Sequence, residues 1–218
     1  MDFDAPSPLG PAAAHEISAA IRDTIIRGDF VPNQRLVETD LADRFGASRG
    51  AIRLALLDLV NEGLVERVPN RGARVRAVSL SEALEICDVR LALEPLCASL
   101  AATRAGSADR RDLEALGESM TAAVAAADVV GQSELNHLLH HRIRTLSAHH
   151  TATQILERLR AQAALHRFRL TRRPGRARES LAEHLALITA LCAGDPDRAA
   201  EATRRHLHGV LAALRESG

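Results

Sequence analysis

Lysine, tryptophan and tyrosine are absent from this 218-residue sequence, and each absence narrows what the chain can be. With aromatics at only 2%, the core has to be built from Leu, Ala, Val and Ile, and a pocket for stacking aromatic rings is disfavoured. Richness in Ala and Leu favours helix. Every one of the 28 basic residues is Arg, the side chain that grips phosphates and guanine edges in bidentate fashion. Cysteine is scarce: Cys87, Cys97 and Cys192 are odd in number and scattered. That excludes a disulfide framework and a CxxC metal knuckle, and their apolar helical surroundings read as buried thiols. No apolar run approaches the roughly 18 residues that span a bilayer. The opening MDFDAPSPLGP is acidic and Pro-rich, unlike a signal peptide. A cytoplasmic chain with no membrane partner is expected.

Formal net charge is zero, so bulk charge gives no sign of nucleic acid. Its distribution does: from Arg44 to Arg76 seven Arg stand against three acids, a net of plus four. A solvated face is the competing reading of that segment.

Periodicity organises the chain. His15 to Arg27 carries Ile17, Ala20, Ile21, Thr24 and Ile25 on one stripe, and Gly28 ends it. A shorter helix is predicted from Glu38 to Phe45, closed by Gly46. Ser48 is placed as the N-cap of a third, Arg49 to Asn61, closed by Gly63. Leu64–Val68 and Ala73–Ala77 alternate as strands around the turn Pro69-Asn70-Arg71-Gly72. Three helices and a hairpin with a basic tip are a winged helix-turn-helix layout. Beyond Ser81 the pattern is helical only, with segments at about 81–105, 108–127, 130–147, 151–170, 177–193 and 196–215. The fold class is mostly α: an N-terminal winged helix-turn-helix with a small β-hairpin, then an all-α helical bundle. The expected domains are a disordered tail over 1–12, a DNA-binding domain over 13–78 and a helical domain over 79–218.

The second helix of a helix-turn-helix lies in the major groove and reads with its N-terminal residues. Ser48 and the first-turn N–H groups are suited to a phosphate, and Arg49 and Arg53, four apart, share a face. The wing residues Arg71 and Gly72 suit a minor-groove or phosphate contact. The segment from Ile21 to Val75 resembles the winged-helix domain of the GntR family of bacterial regulators. The resemblance rests on Ile26-Arg27-Gly28, Leu41-Ala42, Phe45-Gly46, Ser48-Arg49, Ile52-Arg53, Glu62-Gly63-Leu64-Val65 and Pro69-Asn70-Arg71-Gly72. It implies DNA contacts at Ser48, Arg49, Arg53, Arg71 and Gly72. The chain departs from the family at Gly50-Ala51, where Thr-Pro is usual, so the operator sequence does not carry over.

Three of the ten histidines stand on three helical segments: His140, His184 and His206. Imidazoles converging inside a bundle make a site for a divalent transition metal, with hydrogen-bonded core histidines as the competing reading. His149 and His150 are expected in a loop. Asn136 lies one turn before His140 on the same face. Residues from about 81 to 214 resemble the all-helical FCD domain of the FadR subfamily of GntR regulators. That resemblance is carried by Val89-Arg90…Leu93-Glu94, Asn136…His140, Glu183-His184…Ile188 and Arg205-His206-Leu207. It implies Asn136, His140, His184 and His206 as ligands of a metal, Zn or Ni by ligand softness. It also implies Arg90 as an effector contact, a small carboxylic acid as effector, and a homodimer on a pseudo-palindromic operator. A helical pair of Arg90 with Glu94 is the competing reading of that arginine. The expected function is a DNA-binding repressor released by effector, not an enzyme. The alternatives are a metal-dependent hydrolase, with Glu183 the nearest acid to the ligands, and a dimerisation module with structural histidines.

Overall fold

In the first 79 residues the hydrophobic stripes decide which helices meet. The computed structural model describes residues 11–68, 72–164 and 175–216. The elements run α1 (Pro11–Arg27), β1 (Arg35–Leu36), α2 (Glu38–Phe45), α3 (Arg49–Asn61), β2 (Val65–Val68) and β3 (Gly72–Val75). The helical part continues with α4 (Leu80–Arg104), α5 (Ser107–Ala125), α6 (Val129–Ser147), α7 (His150–Ala164), α8 (Arg176–Ala193) and α9 (Pro196–Glu216). The chain divides into two compact units, residues 1–79 with 160–166, and 80–159 with 167–218.

In the first unit, Ile21 on α1 and Ile52 and Leu59 on α3 are fully buried, so α1 and α3 face each other along their apolar stripes. Arg22 clamps the same pair of helices: its Nε and Nη2 donate to the two carboxylate oxygens of Glu62 at 2.7 and 2.5 Å. Helix α2 ends at Gly46, whose φ of 59° is left-handed, and Ser48 Oγ then accepts from the Ala51 N–H at 3.2 Å to open α3. The hairpin β2–β3 gains a third strand, β1, in the order β1-β3-β2, all antiparallel. Helix α1 starts at Pro11, four residues before the expected His15, and takes in residues assigned to the tail; proline suits a first helical position. The rest of that tail, the wing tip 69–71 and the expected helical stretch 165–170 lie outside the described residues.

The second unit is all helix among the described residues. Leu113, Leu139, Leu187 and Leu191 are completely buried in one core. Small residues let α4 and α9 run close together: Ala98, Ala101 and Ala102 on one side, Ala199 and Ala202 on the other, all buried. Cys87 and Cys97 are buried, and Cys192 is half-buried. No described helix is long and apolar enough to cross a membrane. His149 lies in the short link between α6 and α7, as expected, but His150 does not. His150 begins α7, and His149 Nδ1 accepts from the Ala152 N–H at 3.2 Å, capping it.

Candidate DNA-reading face and histidine centre

Helix α3 is buried along Ala51, Ile52, Ala55, Leu56 and Leu59. Its opposite face leaves Ser48, Arg49 and Arg53 exposed. Arg53 is held by Glu38 of α2, with Nη2 at 2.8 Å from Oε2 and Nε at 3.1 Å from Oε1. That pair aligns the guanidinium along the rim between α2 and α3. Arg44 is engaged elsewhere, its guanidinium stacked 4.7 Å from the Phe30 ring centre. Arg74 pairs with Glu66 at 2.5 Å on the hairpin. The cluster of arginines is therefore divided between structural partners and the exposed start of α3. Gly72 opens β3 with φ of 82° and is exposed, while Arg71 lies outside the described residues.

In the second unit α6, α8 and α9 bring His140, His184 and His206 together. Ring centres lie 5.4 Å apart for His140–His184 and for His140–His206, and 4.3 Å for His184–His206. One ring nitrogen from each falls within 4.8 Å of the others. Each Nδ1 has a neighbour outside the trio. His206 Nδ1 lies 2.8 Å from Glu183 Oε2, His184 Nδ1 lies 3.4 Å from Ser180 Oγ, and His140 Nδ1 lies 3.6 Å from Glu94 Oε2. Glu183 and Ser180, within hydrogen-bond distance, fix the tautomers of His206 and His184 and aim their other nitrogens at an ion; Glu94 stands too far from His140 Nδ1 for a hydrogen bond. His184 is completely buried, yet its Nε2 has no hydrogen-bond partner. An orphaned buried imidazole nitrogen costs about 1–3 kcal/mol, and a metal ion would satisfy it. The donor set thus fits a divalent transition metal.

The electrostatics agree. Burial, reinforced by His206 and nearby arginines, pushes His140 down to about 3 despite Glu94 beside it. Burial also drives His184 well below the usual histidine value, helped by His206 and His140. Both rings are neutral at pH 7 and able to donate lone pairs. Burial would raise Glu94, but Arg90 and His140 outweigh it and hold its carboxyl at about 2.

Asn136, one turn before His140 on α6, is half-buried. Arg90 donates from Nε to Glu94 Oε1 at 2.6 Å, so the helical pair exists. Glu183, the acid nearest the trio in sequence, has its carboxylate fully engaged. Arg176 Nη1 and Nη2 donate to its two oxygens at 3.0 and 2.8 Å, and His206 takes the second oxygen as well. A carboxylate held by a cation and an imidazole orients its neighbours and is poorly placed to act as a general base.

Residues 13–75 match the family model described as "Bacterial regulatory proteins, gntR family", and residues 85–209 match the FCD domain, more than half of the chain. The chain belongs to the GntR family. This GntR regulator is 34% identical over 195 residues to the HTH-type transcriptional repressor GlaR of Escherichia coli (strain K12), covering 86% of this chain and 89% of that protein. It is 24% identical over 201 residues to the HTH-type transcriptional repressor RspR of Escherichia coli (strain K12), covering 92% and 88%. The solved structure of E. coli McbR/YncC superposes with a TM-score of 0.82 at 23% identity, over 94% of this chain and 97% of that one. The curated relatives are DNA-binding transcription regulators, and the GntR chain is one too, not an enzyme.

Proposed function

We propose that this GntR regulator is a repressor of the FadR subfamily whose grip on its operator is set by a small carboxylate bound beside a divalent transition metal. The observation that carries the reading is the trio His140, His184 and His206, half-buried at His140 and buried at the other two, with His184 Nε2 left without a partner. His140, His184 and His206 would hold the ion, with Asn136 as the fourth ligand and Zn or Ni as the fitting metals. When bound, the ion supplies positive charge and open coordination positions to a carboxylate. Arg90, paired with Glu94 beside the trio, is the arginine that the family resemblance implies as a contact for such a carboxylate.

DNA recognition falls to the start of α3. Ser48 and the first-turn N–H groups hold a phosphate, Arg49 and Arg53 reach bases or phosphates, and the wing at Arg71 and Gly72 follows the backbone. Two copies, as a homodimer in the cytoplasm, present two such helices to a pseudo-palindromic operator. The repressor names of GlaR and RspR favour repression over activation.

Two measurements test the reading. Elemental mass spectrometry of the untagged protein is expected to give about one transition-metal ion per chain, lost in His184→Ala; metal retained in that variant removes His184 from the ligand set. Arg49→Ala and Arg53→Ala are each expected to weaken binding to a labelled fragment of the regulated promoter by about 1–3 kcal/mol while folding normally. Wild-type titration curves for both would move the reading surface away from α3.

A further inference from the structure

Arg144 sits on α6 one turn after His140 and is only 6% exposed. Its Nε and Nη2 have no hydrogen-bond partner. Across the same small cavity Glu94 Oε2 is also without one. The cavity is lined by Glu94, His140, Arg144, Leu156, Leu187 and Thr203 among others. A buried guanidinium with two idle nitrogens is expensive, because desolvation is not repaid by a hydrogen-bond partner. Glu94 does not repay it, since its other oxygen is taken by Arg90. The two orphans are complementary to one kind of molecule: an anion for Arg144 that also carries a hydrogen-bond donor for Glu94.

We propose that Arg144 is the anchor for the carboxylate of the effector, and that Glu94 Oε2 selects acids bearing a hydroxyl or ammonium group next to it. This rests on the carboxylate-effector reading above and adds a residue and a ligand chemistry to it. A guanidinium fork matches a carboxylate in two parallel hydrogen bonds, and a site built to accept a donor discriminates against the analogue that lacks it. The cavity measures about 10 Å³, room for roughly one water. A two- or three-carbon acid therefore enters only as side chains lining the cavity shift.

The test is the melting temperature of the full chain, followed by circular dichroism because Trp and Tyr are absent. Sodium glycolate, acetate and chloride are titrated at constant ionic strength into wild type and Arg144→Met. In wild type, glycolate raises the melting temperature more than acetate, and acetate more than chloride. In Arg144→Met the response to both acids falls by on the order of tenfold or more in apparent affinity, while the unliganded variant is no less stable than wild type. An equal response in both proteins, or no response to either acid in wild type, overturns the proposal; the latter leaves one water bridging Glu94 and Arg144. Should Arg144→Met fail to fold, Arg144→Lys keeps the charge and loses the fork, and a wild-type response in it overturns the proposal equally. Binding to promoter DNA separates the two readings. Operator affinity that responds to acid alike in wild type and variant sinks the Arg144 assignment and leaves the effector reading standing. A melting shift that depends on Arg144 while operator affinity never changes upholds the site and removes the effector reading.

Discussion

His206 shows how much of this candidate centre is decided one residue away from the histidines that could hold an ion. Its Nδ1 lies 2.8 Å from Glu183, and Glu183 is itself held by Arg176. His206 and Arg176 keep the Glu183 carboxyl below its usual range although burial alone would raise it, so the imidazole faces a fixed negative charge. Such a partner raises ligand basicity and locks the ring. Glu183→Gln keeps the shape and removes the charge. It is expected to weaken metal affinity about 10–100-fold, read by competition with a chromophoric chelator, while the fold stays intact; unchanged affinity would make the contact incidental. The trio itself was legible in the sequence because His140, His184 and His206 stood on three helical segments at positions that the resemblance to the FCD domain implies as ligands. Glu183, Glu94 and Arg144 were not legible in these roles. A helical wheel tells which side of its own helix a residue leaves, but not which neighbouring helix meets it. Arg144 left one trace, its position one turn beyond His140 on the same face.

The helices obey their local signals more closely than the strands do. Ser48 caps α3 and Gly46 closes α2 as turn chemistry requires. Strand β1 is two residues long and has no pattern of its own; it exists because β3 offers an edge at Arg74 and Ala73. Helix α9 contains an element-scale constraint at Gly209. A Cβ there would run into Glu183 Oε1 and lie 3.2 Å from Arg176 Nη2. In an ordinary helix interior Gly→Ala gains up to about 1 kcal/mol. Gly209→Ala instead pushes away the carboxylate that braces His206, and Arg176 pins that carboxylate against retreat. The expected outcome is weaker metal binding with a melting temperature that does not rise. A more stable variant with full metal affinity would mean the Glu183–Arg176 pair swings aside freely.

At the scale of the whole chain, a DNA-binding unit and the pocket proposed for a small acid are joined in one polypeptide, and thermodynamics constrains the two jointly if both bind. If an acid in the helical unit weakens operator binding by some factor, operator DNA must weaken acid binding by that same factor. Couplings of this kind run to about 1–3 kcal/mol, or 5–150-fold. The expected result is that glycolate lowers affinity for labelled promoter DNA by a factor in that range. Saturating unlabelled promoter DNA should then raise the glycolate concentration needed for half-occupancy by an equal factor, measured by calorimetry at one fixed salt concentration. Salt has to be held constant because arginine–phosphate contacts release counterions, and operator affinity falls steeply as salt rises. A non-specific fragment of the same length is the control, since the acid is itself an anion and competes for exposed arginines such as Arg49. Equal weakening on both fragments would be screening. Weakening confined to the promoter fragment, with the reciprocal shift in glycolate binding, is the signature of two conformations that the acid and the DNA each favour differently.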